Sequence, residues 1–292
     1  MRFTLGLAIL WTAPLWAYFF AVEGKLLQSD SYFAVYVDDK IPEEEVQTAI
    51  VLAVGTQMKI KDYSNLAEAI QVNTPNSVVF IMDPNPNIFT KFSPENYQKG
   101  FSAIVTWTKT ARFTGVQKYF IGGHSASGQA GIQALQNLKT LGVTISGFIG
   151  IDSCCVGFSI YPPWLSGDKK SAALFTVPSL FWTTQPNLCA NPTSAGEGFY
   201  NLAVSNGRGL CNALFKLKEG PEHCIFTNAG CWPLTCFCKY AKNQGCNQKG
   251  IFNQVAVSIA NFVSGKPQIE TEDTTLSISG SCPVSAAGHS DL

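Results

Sequence analysis

A serine lies at the junction between a predicted strand and a predicted helix near the middle of the chain. The run KYFIGG from Lys118 to Gly123 is short, apolar and bounded by glycines, which is typical of a strand. Helical spacing follows until Gly142 ends the pattern, with apolar residues at Ile132, Leu135, Leu138 and Leu141. The segment between the two is Gly123-His124-Ser125-Ala126-Ser127, so the sequence predicts a sharp turn with Ser125 at its tip.

This turn is close to the pattern G-x-S-x-G, in which small residues two positions either side of a serine leave room for a tight strand-to-helix turn. Gly123 fits the pattern, and Ser127 takes the place of the second glycine. A turn centred on Ser127 would instead need a small residue where Gln129 stands. Ser125 is therefore the candidate nucleophile, and the alternative is a glycine-rich turn whose serine has no chemical role.

Length and charge limit the classes of protein to consider. With 292 residues and 46% hydrophobic content, the chain can bury the core of one large domain. Its 20 basic residues balance its 20 acidic residues, so no net field attracts nucleic acid or an anionic membrane. A nucleic-acid partner is therefore not expected.

The N-terminal residues 1–24 have the pattern of a secretory signal peptide. Met1-Arg2 precedes an apolar run from Phe3 to Val22, and Gly24 offers a small residue near a cleavage point. The run is also long enough to span a bilayer, so an uncleaved anchor that associates the protein with a membrane is the alternative. We expect either a secreted, extracellular protein or a membrane-anchored one with a lumenal or extracellular domain.

All ten cysteines lie in the second half of the chain, and an even number behind a secretory signal predicts disulfides there. Zinc is the competing interpretation for the cluster of four between residues 231 and 246. That cluster has no paired C-x2-C knuckles and no second histidine nearby, so no metal is predicted. The cysteines are Cys154, Cys155, Cys189, Cys211, Cys224, Cys231, Cys236, Cys238, Cys246 and Cys282.

Strand and helix patterns alternate along the chain. Ser31 to Asp38 alternates in polarity and predicts an antiparallel edge strand, whereas continuous apolar runs predict strands buried on both faces. Ser93-Pro94-Glu95 begins a predicted helix. This order predicts an α/β fold with a mostly parallel central sheet, helices on both faces and a site at the carboxyl ends of the strands. The buried strands are predicted at 49–54, 78–82, 118–123, 145–151, 177–182 and 213–217, and the last helix passes through Val255, Ile259 and Phe262.

The predicted domain covers residues 25–264 and includes a cysteine-rich insertion at 224–246. Residues 265–292 are rich in serine, threonine and acidic side chains, so we expect a flexible tail. The sequence contains no phosphate-binding or dinucleotide-binding glycine motif.

A serine nucleophile needs a base, and the chain has three histidines. His124 lies inside the turn itself and His289 lies in the tail. His223 follows the predicted strand at 213–217 and precedes the last helix, so it is the candidate base for Ser125. A structural histidine is the alternative.

The candidate for the carboxylate that orients the histidine is Asp152, which ends a predicted strand between Ser125 and His223 in the chain. The rival position is the loop after Trp182, but its sequence TTQPN contains no carboxylate. Asp83 ends an earlier strand, and we assign it a structural role. A structural carboxylate is also the alternative for Asp152.

The backbone must also supply N–H groups for an oxyanion hole. We predict that these come from Ala126, directly after the nucleophile, and from Thr56 in the loop after the strand at 49–54, with Gln57 as the next choice.

Four segments together resemble the α/β-hydrolases of the lipase and esterase kind, especially chlorophyllase-like and polyesterase-like members. They are the loop at Gly55, the GGHSAS turn, the strand FIGIDSC and the loop GPEHCIF. The resemblance spans about residues 32 to 264 and implies a Ser125, His223, Asp152 triad that hydrolyses carboxylic esters without a metal or organic cofactor. This chain has Val54-Gly55 where many relatives have a His-Gly pair.

The segment from Val156 to Thr176 follows the predicted strand that ends at Asp152, and it contains several aromatic residues. It could wall a pocket for a lipophilic ester or simply pack onto the core. Two other functions fit the same sequence: binding without catalysis on a hydrolase fold, and acyl transfer by the same triad.

Overall fold

A nine-stranded sheet forms the centre of the protein, with strand order β1-β2-β4-β3-β5-β6-β7-β8-β9. The computed structural model describes residues 25–29, 32–55, 58–84, 93–110, 113–153, 175–184, 196–206, 210–217, 223–228, 248–266 and 276–281. The strands are β1 (Lys25–Ser29), β2 (Phe33–Val37), β3 (Thr48–Ala53), β4 (Ser77–Met82), β5 (Lys118–His124), β6 (Thr144–Ile151), β7 (Ser179–Thr183), β8 (Asn212–Leu217) and β9 (Leu276–Ser281).

Helices cover both faces of the sheet, as the alternation of patterns predicts. The described helices are α1 (Ser64–Asn73), α2 (Pro94–Thr110), α3 (Ala126–Leu138), α4 (Gly196–Asn206) and α5 (Gln248–Val263). Apolar side chains of α1 and α5 belong to one buried cluster, and those of α2, α3 and α4 belong to the other.

The inner strands, from β4 through β3, β5, β6 and β7 to β8, pair in parallel. Their side chains alternate between the two clusters, so that Ile50 and Leu52 pack on one face while Ala49 and Val51 pack on the other. Both faces are apolar, which is why these strands read as continuous apolar runs. The sheet and its two helix layers supply most of the buried apolar side chains. Full burial of each large one contributes about 1.5–3 kcal/mol to folding.

Antiparallel strands close both edges of the sheet, and here the structure corrects two predictions. The segment Ser31 to Asp38 contains β2, which is antiparallel but lies inside β1 instead of at the edge. The predicted flexible tail contains β9, which pairs with β8 along its whole length. β9 is ordered because Leu276 and Ile278 alternate with polar residues and pack against the core. The sequence analysis also did not predict α4.

No helix among the described residues is long and apolar enough to cross a bilayer, and the apolar run at residues 1–24 lies outside them.

Cys211 is the one cysteine whose side chain is described, and it is disulfide-bonded. Within the described ranges no cluster of three or more histidine, cysteine, aspartate or glutamate residues could hold a metal ion. The four clustered cysteines lie outside those ranges, so the wider disulfide pattern stays a prediction.

Candidate active site

Ser125 stands at a strained turn between β5 and α3. Its backbone has φ 58° and ψ −134°, a region that residues with side chains rarely occupy. Two main-chain hydrogen bonds hold this geometry: the Ser125 N–H donates to the Ile151 carbonyl at 3.1 Å, and the Gly128 N–H donates to the Ser125 carbonyl at 3.1 Å. The predicted sharp turn is therefore present, with the serine at its tip.

The turn leaves no room for a side chain at Gly123 or at Gly128. A Cβ on Gly123 would lie 3.0 Å from the carbonyl oxygen of Ala53, and a Cβ on Gly128 would overlap the hydroxyl oxygen of Ser153. Ser127, by contrast, is fully buried, and its hydroxyl donates to the Val54 carbonyl at 2.5 Å. The serine at the position of the second motif glycine therefore makes a contact that glycine lacks.

Asp152 is a buried carboxylate at the end of β6. Its backbone has φ 41°, and its N–H donates to the Trp182 carbonyl at 2.7 Å. Oδ1 accepts the Thr184 N–H at 2.9 Å and the Thr183 hydroxyl at 3.1 Å, while Oδ2 accepts the Thr184 hydroxyl at 2.9 Å. Hydrogen bonds of this kind stabilise a carboxylate in its ionised form and fix its direction.

The sheet brings the candidate nucleophile and the candidate acid to neighbouring strand ends. His124 pairs with Ile151 in the parallel register of β5 and β6, so Ser125 and Asp152 are the residues that follow this pair. The Ser125 N–H bonds to Ile151, which directly precedes Asp152. Both residues thus lie at the carboxyl edge of the sheet, where sites of parallel sheets form.

His223 begins a short 3-10 segment, His223–Phe226, that follows β8. Its side chain lies outside the described residues, as do Thr56, Gln57 and the segment from Val156 to residue 174. The triad and the oxyanion hole therefore stay predictions. The 3-10 segment packs against the turn from Gly123 to Ser127, which is called the elbow below, since the Phe226 ring lies 6.1 Å from the ring of His124.

His124 has a structural partner that the sequence did not reveal. It is 2% exposed, and its Nδ1 lies 2.7 Å from the hydroxyl of Tyr63. The same hydroxyl accepts the Gly55 N–H at 2.8 Å. A Cβ on Gly55 would lie 2.8 Å from His124 Nδ1 and 3.2 Å from Ser125 Cβ, so the backbone at the end of β3 lies directly against the elbow.

Two site residues were missed by sequence reasoning. Tyr63 is separated from His124 by 61 positions, and only the order of strands in the sheet brings them together. Thr184 lies in the loop after β7, which offers no carboxylate of its own, and its hydroxyl binds Asp152 at the end of the neighbouring strand. Thr183 ends β7 and Thr184 follows it, and no spacing in the sequence marks either threonine as a partner of Asp152.

No protein-family model matches the sequence, and no curated protein matches it significantly. Solved structures do resemble it. Carboxyl esterase 2 from the mycorrhizal fungus Tuber melanosporum aligns with a TM-score of 0.54 at 12% identity, over 82% of this chain and 86% of that one. The thermophilic carboxylesterase EstE1, cloned from a metagenomic library, aligns with a TM-score of 0.53 at 13% identity, over 82% and 91%. Ferulic acid esterase from Streptomyces cinnamoneus aligns with a TM-score of 0.53 at 12% identity, over 82% and 74%.

These alignments, together with the strand order and the elbow, define the architecture. The chain has the α/β-hydrolase fold, which confirms the fold that the sequence resemblance implied. At such low identities the likeness extends to the fold and not to a particular substrate.

Proposed function

We propose that the protein is a serine hydrolase that cleaves carboxylic esters. The observation that carries this proposal is the strained turn at Ser125, which directly adjoins the buried and fully oriented carboxylate of Asp152. Strain at a single non-glycine residue on such a turn is typical of catalytic sites. The named structural neighbours are esterases, which supports the same class of reaction.

In the proposed reaction, His223 removes the proton of the Ser125 hydroxyl as its oxygen attacks the ester carbonyl carbon. The N–H groups of Ala126 and Thr56 stabilise the resulting oxyanion. The intermediate then collapses: the bond to the alcohol breaks, and the alcohol leaves with the proton from His223. Asp152 holds the imidazole in position and stabilises its protonated form.

The second half of the reaction releases the acid. His223 takes a proton from water, the hydroxide adds to the acyl-enzyme carbonyl, and the bond to Ser125 breaks as the serine regains its proton. Every proton is transferred by this chain's own side chains, so the mechanism requires no metal or organic cofactor.

We further propose a lipophilic ester as the substrate, of the kind taken by chlorophyllase-like enzymes, and action in the secretory pathway or outside the cell. The support comes from the sequence. Aromatic residues follow the acid strand at Phe158, Tyr161 and Trp164, and residues 1–24 have the pattern of a signal peptide.

Labelling with a fluorophosphonate probe tests the proposal. We expect the wild-type protein to be labelled at Ser125, and both Ser125→Ala and His223→Ala to lose the label. Ser77→Ala is the matched control, because Ser77 is a buried serine at the beginning of β4 and should leave the label unchanged. A folded wild-type protein that is not labelled would favour a binding role without catalysis. Product analysis with added alcohol separates hydrolysis from acyl transfer.

A further inference from the structure

The peptide group that joins Val54 to Gly55 is hydrogen-bonded by a side chain at each end. Its carbonyl accepts the Ser127 hydroxyl at 2.5 Å, and its N–H donates to the Tyr63 hydroxyl at 2.8 Å. Both side chains are buried, Tyr63 to 2% exposure and Ser127 to 0%. A rotation of this peptide would break both bonds at once, and a hydrogen bond lost between buried groups is costly.

This peptide lies immediately beyond the regular pairing of β3, which ends at Ala53 on both of its neighbours. A backbone group past the end of a ladder needs other partners when it is buried. Here the partners come from two elements that the strand does not contact by pairing, the beginning of α3 and the turn before α1. The direction of the chain as it leaves β3 is therefore set by side chains.

The two side chains also connect this peptide to the nucleophile. Ser127 lies two positions after Ser125 on the first turn of α3, and Tyr63 binds Nδ1 of His124, the residue before Ser125, at 2.7 Å. Because the Gly55 N–H can only donate, the Tyr63 hydroxyl accepts it and can donate its own proton to His124 Nδ1. Two buried side chains thus connect the Val54–Gly55 peptide to the residues on either side of Ser125.

We propose that Tyr63 and Ser127 are positioning residues that fix the Val54–Gly55 peptide, which directly precedes Thr56, the predicted donor of the oxyanion hole. This inference rests on the proposed ester hydrolysis. Donors of an oxyanion hole must lie within about 2.7–3.1 Å of the developing charge, so a small rotation of the peptide that precedes a donor weakens its hydrogen bond. Neither residue touches the substrate in this scheme. This role gives a reason for Ser127 at the position where the pattern G-x-S-x-G has its second glycine.

Kinetics provide the first test, with Tyr63→Phe and Ser127→Ala as the variants. We expect kcat per titrated active site to fall about tenfold in each, with KM changed less than about twofold, because misplaced donors weaken the transition state more than the substrate complex. The inhibition constant of a phenylboronic acid, whose serine adduct carries an oxygen in the oxyanion hole, should rise in proportion. A purely structural defect would lower the number of active sites and leave that constant unchanged.

Two matched controls remove buried hydroxyls elsewhere. Tyr119→Phe loses a bond to Thr108, and Ser77→Ala loses bonds to Thr74, both away from the elbow. We expect wild-type kcat and wild-type boronic-acid affinity for both. An active wild type whose Tyr63→Phe and Ser127→Ala variants keep their kcat and their boronic-acid affinity would overturn the inference.

Amide hydrogen exchange gives a readout that does not depend on activity. In the wild type the Gly55 amide is buried and bonded to Tyr63, so Tyr63→Phe should accelerate its exchange at least tenfold while amides of β5 keep their rates. Unchanged Gly55 exchange overturns the inference directly. A wild type that is folded but neither labelled nor active refutes the proposed function, and with it the effect of both positioning residues on catalysis.

Discussion

Thr184 binds both oxygens of the Asp152 carboxylate. Its main-chain N–H donates to Oδ1 at 2.9 Å, and its hydroxyl donates to Oδ2 at 2.9 Å. A carboxylate held at both oxygens cannot rotate about its Cβ–Cγ bond without losing a charge-assisted hydrogen bond. The acid is therefore oriented by the loop after β7, although it belongs to the end of β6.

Replacing Thr184 with valine should lower kcat/KM about tenfold and the free energy of unfolding by about 2 kcal/mol, because a hydrogen bond to a buried charge is lost. Thr184→Ser should restore both. The control is Thr108→Val, which removes a buried hydroxyl bonded to Tyr119 and should affect stability only. Ester-hydrolysis rates and urea unfolding measure the two effects. A Thr184→Val enzyme with wild-type kcat/KM would show that this orientation does not matter for catalysis.

The strain at Ser125 predicts an unusual order of stability among its variants. Both Ser125→Ala and Ser125→Gly remove the hydroxyl, but only glycine tolerates φ 58° and ψ −134° without steric conflict. We expect Ser125→Gly to be more stable than Ser125→Ala by about 1 kcal/mol, after allowance for the greater freedom of glycine in the unfolded chain. Urea unfolding of both variants at one pH gives the comparison. Equal stability, or a more stable alanine variant, would mean that the turn is not strained.

Burial raises the pKa of Tyr97 well above its ordinary value of 10.0, and its hydroxyl donates to the Gly122 carbonyl. In the unfolded chain the phenol loses its proton near pH 10, whereas in the folded protein it keeps it. Stability is therefore complete below pH 10 and falls as the pH rises further, by about 1.4 kcal/mol per pH unit for this residue.

Tyr97→Phe isolates that contribution. We expect the variant to be less stable than the wild type by about 1 kcal/mol at pH 8, because the hydrogen bond to Gly122 is lost. The difference should shrink or change sign between pH 10 and pH 11, since phenylalanine does not titrate. Urea unfolding at several pH values measures it, and a constant difference up to pH 11 would contradict the shift.

Gly128 should not tolerate a side chain. A Cβ there would overlap the Ser153 hydroxyl and lie 2.8 Å from the Gly123 carbonyl oxygen, so Gly128→Ala should destabilise the fold by about 2–3 kcal/mol. Ser153→Gly removes the first of these conflicts but not the second. The double variant should therefore recover part of the loss, and strictly additive effects in thermal unfolding would disprove the steric explanation.

The parts of the site that the sequence could predict are those set by neighbouring residues. The turn at Ser125 follows from the small residues around it, and Asp152 follows from its place at the end of an apolar run. The sequence also predicted the parallel sheet, because strands buried on both faces leave continuous apolar runs.

The parts that could not be predicted depend on contacts between distant segments. The sequence shows Ser127 only as a small residue in the place of glycine, because its partner Val54 follows a distant strand and no local pattern reveals the contact. Tyr63 lies in a short helical turn with no motif. Asp152 was predicted as the acid, but its partner Thr184 was not, since a hydroxyl donor has no distinctive spacing in a sequence.

The position of β9 at the edge of the sheet bears on how the protein can be shortened. A boundary drawn at residue 264, where the composition changes, would delete the strand that covers β8. The free N–H and C=O groups of β8 would then face solvent beside Leu214 and Phe215, and exposed apolar strands of this kind pair with other molecules. Expression clones that stop there should yield aggregates, while clones that extend through Ser281 retain the strand that covers β8.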